Sequence, residues 1–159
     1  MNLLDVMNLQ TINVDLQAAS KQEAIIELSK MLYKENRISD VETFVEAVCE
    51  REALGETGMG NHIAIPHGQT DAVLHASVAV GKVDTALEWE SLDDQPVHLI
   101  FLIAAPKSNK NITHISMLSQ LASVLSYEEI QNELMESKDK DQFLRIFTKY
   151  FNEYSKNRQ

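Results

Sequence analysis

Residues 97 to 105, "VHLIFLIAA", constrain the fold of this chain more than any other stretch. The run is apolar almost throughout and rich in Leu and Ile, without the polar alternation of a half-exposed strand. A strand buried on both faces reads this way. Pro106, which has no N–H to give a ladder, ends it. Nine residues containing His98 are far too short to span a bilayer. A strand of this kind needs covering layers on both sides, and the rest of the chain offers helices to supply them.

Ser20 and Glu23 form a capping box ahead of a helical pattern. Ala24, Ile25, Leu28, Met31 and Leu32 recur at helical spacing, and the helix should end near Asn36. A second helix is expected from about Asp40 to Leu54, with Val41, Phe44, Val45, Val48 and Cys49 as its buried stripe and Gly55 as its stop. A glycine-rich loop, "GETGMGNH", leads into the short strand "IAI", which Pro66 stops. "TINVDL" (11–16) and "HASVAVGKV" (75–83) read as further strands. From about Asn111 to Leu125 the pattern is helical again, with Ile115, Leu118, Ala122 and Leu125 on one stripe. Two more helices follow, about Tyr127 to Glu136 and Asp139 to Tyr154, the last anchored by Phe143, Ile146, Phe147 and Tyr150. The expected class is α/β: a small, central mixed β-sheet flanked by helices. At 159 residues and 18.0 kDa, with no repeat or Pro/Gly/Ser-rich linker, a single domain over 1–159 is expected, with a core of about 8–150.

The net charge of −10 argues against nucleic-acid binding, which needs cations to neutralise phosphates, and against docking on anionic lipid. It suits solubility, or steering toward a basic protein partner. With no signal-peptide pattern and one cysteine, Cys49, read as a buried, inert thiol, the chain reads as cytoplasmic and free of internal disulfides.

Three residues are candidates for chemistry. His67 follows Pro66 and precedes Gly68, so a ring fixed at the rim of the sheet is expected, with one nitrogen facing outward. Neutral imidazole is a nucleophile near pH 7; the same spacing also fits a strand-end histidine bonded to neighbouring backbone. His114 falls in the first turn of a helix, where N–H groups and the dipole favour an anion, and it also fits a half-exposed histidine flanking the buried stripe. Arg51, in the last turn of the second helix, suits bidentate phosphate contact or simple complementarity to the helix dipole. Thr57 is placed to bond the His67 region through its hydroxyl, and Glu56 reads as a solvated loop residue. The glycine-rich loop lacks the P-loop pattern and opens no helix. His62, His75 and His98 have no zinc-ligand spacing, so no metal or cofactor is expected, and a small metal-dependent enzyme stands only as a distant alternative.

"REALGETGMGNHIAIPHG" (51–68), "DDQPVHLIFLIAAP" (93–106) and "THISMLSQLASVL" (113–125) together resemble the type-2 enzyme IIA domains of the bacterial sugar phosphotransferase system, the fructose–mannitol group. The resemblance runs from about Asn8 to Tyr150; one departure is His114-Ile115, where the family carries His-Leu. It implies a phosphotransferase with a phosphohistidine intermediate and no cofactor. His67 would accept a phosphoryl group on Nε2 from the phosphocarrier protein HPr and pass it to a cysteine of a sugar-specific IIB component, with His114 and Arg51 as its active-site partners. Residues 87–106 look most like fructose-type sequences. A nitrogen-regulatory IIA domain, controlling protein partners through its phosphorylation state, shares the same histidine and is the alternative.

Overall fold

The 97–105 run is the centre of the molecule. In the computed structural model, which describes residues 2–107 and 112–156, it forms strand β6 (Val97–Ala105). Leu99, Phe101 and Ile103 face one apolar cluster, and Ile100, Leu102 and Ala104 face another. That alternation across the pleat is what a doubly covered strand requires.

The remaining strands are β1 (Ile12–Asn13), β2 (Gly58–Gly60), β3 (Ile63–Ala64), β4 (His67–Gln69) and β5 (Ser77–Leu87). The sheet runs β1-β5-β6-β3-β2, with β4 also paired to β6. It is mixed: β5 is antiparallel to β6, β3 and β4 are parallel to β6, β1 is parallel to β5, and β2 is antiparallel to β3. Helices α1 (Lys21–Lys34) and α2 (Val41–Glu52) cover one face; α3 (Ile112–Leu125), α4 (Glu128–Glu136) and α5 (Lys140–Lys156) cover the other. The expected α/β sandwich is the observed one.

Helix starts follow local chemistry. Ser20 Oγ accepts from the Glu23 amide, while Glu23 reaches back to the Ala19 amide instead of that of Ser20. Asp40 caps α2 through the Thr43 amide and Asp139 caps α5 through the Gln142 amide, each supplying an acceptor that the first turn lacks. Lys82 donates to the Met135 and Ser137 carbonyls at the end of α4, where a cation complements the helix dipole.

Three local expectations are corrected. First, Pro66 ends β3, but the pairing with β6 does not stop there: β4 takes it up again at His67. Ile63 pairs with Leu99, Ala64 with Ile100, His67 with Ile103 and Gly68 with Ala104, without a change of register. In a parallel ladder the interruption costs little, because the Pro66 carbonyl still accepts from Ile103 and only the absent N–H is lost. Second, "GETGMGNH" is not all loop: Gly58–Gly60 is strand β2, turning into β3 through Gly60, Asn61 and His62, all at positive φ. His62 is held in that conformation by its ring, whose Nδ1 meets the Pro96 carbonyl at 2.8 Å. Third, the buried stripe of α3 is Met117, Leu121, Val124 and Leu125; Ile115 and Ala122 are exposed. The helix is apolar on several sides, so its sequence allows more than one stripe, and the sheet selects one.

Gly68 has a different task from the sharp turn its position suggests. It lies within β4 directly under α2, and a Cβ there would stand 2.8 Å from Val48 Cγ2 and 2.9 Å from Phe44 Cε1. Glycine lets the helix rest on the strand's backbone. Gly68→Ala forces these two well-packed side chains apart and should cost about 1–3 kcal/mol of stability in denaturant unfolding, by overpacking.

Candidate functional site

The three residues singled out by sequence come from three separate elements: Arg51 from the last turn of α2, His67 from β4 and His114 from the first turn of α3. The fold brings them together. Arg51 Nε donates to His67 Nε2 at 3.1 Å, and the rings of His67 and His114 lie 4.4 Å apart between centroids, tilted by 38°. They meet near the carboxyl ends of the parallel strands β4 and β6, a place where open α/β sheets often bind ligands.

His114 reaches the site because of the stripe that α3 buries. Counting back from Leu121 and Met117, the same helical face leads to His114, which places it on the inner side of α3 and not on the flank. Its Nε2 is buried and meets no hydrogen-bond partner among the described residues.

His67 is more buried than a rim position implies, 6% exposed, because the strand resumes after Pro66 and carries the ring between α2 and α3. Its Nδ1 lies 3.3 Å from the Ile65 carbonyl, which can only accept, so the network assigns the proton to Nδ1. Nε2 is then the lone-pair nitrogen and accepts from Arg51. Burial, the neighbouring His114 and the Arg51 guanidinium all disfavour the charged ring, and together they outweigh the Ile65 contact, pulling the His67 pKa down to about 4. His114 is also shifted down, by burial first and by Arg51 second. Both rings are therefore uncharged at neutral pH.

Arg51 is anchored at its other end, with Nη1 donating to the Gly55 carbonyl at 3.2 Å. As a cation in the last turn of α2 it also complements that helix's dipole. The Thr57 hydroxyl does not bond His67. It donates to Glu52 Oε1 at 2.5 Å and accepts from Trp89 Nε1 at 3.0 Å, while the Thr57 carbonyl accepts from Ile65 N. Glu52 Oε2 lies 2.7 Å from Lys21 Nζ. Lys21, Glu52 and Trp89 carry no spacing signature; only tertiary contact reveals them. Glu56 is exposed, as expected. Cys49 is half-buried, not buried, and its thiol faces Gln22 Oε1 at 3.4 Å across the α1–α2 contact.

The other histidines serve elsewhere. His62 and His98 pair edge to face, 5.7 Å apart, each with Nδ1 against a backbone carbonyl, and His75 is exposed. Among the described residues no group of three or more His, Cys, Asp or Glu side chains could hold a metal ion, and no helix is long and apolar enough to cross a membrane. Chemically, the arrangement presents a neutral imidazole lone pair beside a guanidinium and a second, unsatisfied ring nitrogen: a nucleophile with donors for an anion attached to it.

Comparison with known proteins bears on the family of the chain. The family model described as "Phosphoenolpyruvate-dependent sugar phosphotransferase system, EIIA 2" matches residues 5–150. The chain is 34% identical over 150 residues to the fructose-specific EIIABC component of a phosphotransferase system in Bacillus subtilis, covering 94% of this chain and 24% of that protein. It thus spans about a quarter of that relative's length. Among solved structures, the nitrogen regulatory protein IIA-Ntr from Neisseria meningitidis superposes with a TM-score of 0.82 at 28% identity, covering 91% of this chain and 97% of that one. A complex of enzyme IIA for mannitol with phosphorylated enzyme IIB from Escherichia coli gives a TM-score of 0.76 at 26% identity, covering 90% of this chain and 99% of the matched chain.

The depressed pKa of His67 has a measurable sign. Between about pH 4 and 6.5 the unfolded chain protonates this ring and the folded protein does not, so its contribution to stability is complete above pH 6.5 and is lost as pH falls toward 4. Chemical denaturation at pH 7 and pH 5 should show a loss in the wild type that is smaller in His67→Gln, by on the order of 1–2 kcal/mol. An NMR titration of the His67 ring should find its midpoint well below 6.

Proposed function

The chain belongs to the EIIA type-2 family of the phosphoenolpyruvate-dependent sugar phosphotransferase system, whose IIA domains mediate phosphoryl transfer, and from that premise we propose that it is a phosphocarrier that accepts a phosphoryl group on His67 Nε2 and passes it on. The observation that carries the reading is the assembly of His67, Arg51 and His114 at one point by three separate elements.

In the accepting step the lone pair of His67 Nε2 attacks phosphorus. The bond from phosphorus to the donor's histidine nitrogen breaks, and its electron pair stays with the donor ring. His67 keeps its Nδ1 proton against the Ile65 carbonyl, so the phosphorylated ring carries positive character that makes it a good leaving group. In the donating step a thiolate attacks phosphorus and the P–N electron pair returns to Nε2. Such transfers ask a protein for positioning and for charge stabilisation at the equatorial oxygens, and they need little else. Arg51 supplies a planar cation, and the unsatisfied His114 Nε2 supplies a second partner for phosphoryl oxygen when it carries the proton. Arg51 must leave the Nε2 lone pair before phosphorus can approach.

The proposed donor is HPr and the proposed acceptor a cysteine of a IIB component. The relative in complex with phosphorylated IIB supports the second partner. Leu54, 83% exposed just beyond Arg51, and Ile115, 60% exposed beside His114, offer apolar contact around the recess. The net charge of −10 would speed encounter with a basic donor. The fructose-specific Bacillus relative favours a fructose-type system. The likeness to a nitrogen regulatory protein supports a second reading, in which the phosphorylation state of the same histidine controls other proteins. Comparing uptake from a sugar-branch HPr with uptake from a nitrogen-branch phosphocarrier separates the two.

Incubation with enzyme I, HPr and phosphoenolpyruvate should add one acid-labile phosphoryl group, seen by intact mass. His67→Ala should abolish the addition while the circular dichroism spectrum is kept; persistent label on that variant sinks the assignment. Arg51→Lys replaces a fork with a point charge, and stopped transfer assays should show uptake slowed about 10–100-fold with stability changed by less than about 1 kcal/mol.

A further inference from the structure

Beside the candidate site lies a buried polar network that the proposed chemistry does not use. Glu52 is the last residue of α2 and its side chain is 6% exposed. One carboxylate oxygen meets Lys21 Nζ at 2.7 Å and the other accepts from the Thr57 hydroxyl at 2.5 Å. Thr57 in turn accepts from Trp89 Nε1, and Lys21 sits over the Trp89 ring at 5.2 Å while also reaching Glu90.

Helix physics does not favour these charges where they stand. Lys21 is the first residue of α1 and Glu52 the last of α2, so each opposes the dipole of its own helix. Removing the Glu52 carboxylate from water is costly, and its pairing with a partly exposed ammonium is weak support for stability. A network that breaks local rules at this cost points to what it positions. It closes the short loop 53–57, since Glu52 and Thr57 grip each other across it. That loop carries two backbone acceptors aimed at the site. The Gly55 carbonyl holds Arg51 Nη1, and the Thr57 carbonyl holds Ile65 N, fixing the residue whose own carbonyl faces His67 Nδ1.

We infer that Glu52, acting through Thr57 and the 53–57 loop, is a positioning residue for phosphoryl transfer, setting both the orientation of Arg51 and the tautomer of His67. The inference rests on His67 as the phosphorylated residue. Lys21 holds the Glu52 carboxylate in place. Thr57 transmits its position to the loop backbone, and Trp89 fixes the Thr57 hydroxyl so that its proton points at Glu52.

The test compares Thr57→Val, Thr57→Ser and Glu52→Ala, using kcat and KM for uptake from phosphorylated HPr and the ¹⁵N shifts of the His67 ring, at a temperature where each variant is folded. Thr57→Val should lower kcat about tenfold with KM within about twofold, the signature of lost transition-state positioning without lost binding. Its His67 ring should move from a single Nδ1–H tautomer to a mixture. Thr57→Ser, which keeps the hydroxyl, should restore both readouts. Glu52→Ala should behave like Thr57→Val; if it does not fold, the threonine pair alone decides. Wild-type kcat in Thr57→Val, or an unmoved His67 tautomer in that variant, overturns the inference and leaves the phosphocarrier reading standing. Failure of the wild type to take up phosphate from HPr, or undiminished uptake by His67→Ala, overturns the parent reading instead.

Discussion

The parallel pairing of residues 63–69 with β6 is the constraint on which the site depends. Because β4 continues β3 in the same register past Pro66, His67 lands opposite Ile103, close to where both strands end. A one-residue slip would send the imidazole to the other face of the sheet, toward α2, and put Gly68 where the ring belongs. The register is held by packing on both sides. Ile63 and Ile65 face the α3–α5 cluster, while Ala64 and Gly68 face α2, Gly68 closely enough that no side chain fits. The small residues on one face and the large ones on the other fix which way the histidine points.

From that placement the electrostatics follow. A ring enclosed by α2 and α3 loses water, His114 lies against it and a guanidinium stands on its lone pair, so protonation is disfavoured three ways. The same contacts that keep the nitrogen uncharged keep it covered. Arg51 covers the His67 lone pair with a guanidinium, a planar cation of the kind that suits anions. His114, with a buried ring nitrogen that satisfies no other group among the described residues, leaves a polar vacancy that an incoming oxygen would fill.

Much of this was legible in the chain. The nearly unbroken apolar run at 97–105 declared a covered central strand, and the capping box at Ser20 marked a helix start that the structure keeps. The residues of the candidate site were also legible, through motif and resemblance. What misled was local reading of residues whose role is tertiary. Pro66 reads as a stop because it cannot donate, yet a parallel neighbour needs its carbonyl and not its amide. Gly68 reads as a turn, yet it answers the approach of a helix. The stripe of α3 was ambiguous because Ile115, Met117, Leu118 and Leu121 offer apolar residues on adjoining faces, and the sheet decided among them. The Glu52–Thr57–Trp89 contacts join residues far apart in sequence with no periodicity to reveal them.

Trp89 is the only tryptophan of the chain, and it is buried with its indole N–H given to Thr57. Intrinsic emission excited at long ultraviolet wavelength therefore originates at a single place, a few bonds from the loop that carries Gly55. The protein comes with its own fluorophore beside the recess, bonded to the loop whose Gly55 carbonyl holds Arg51, and it reports on that loop with no dye attached.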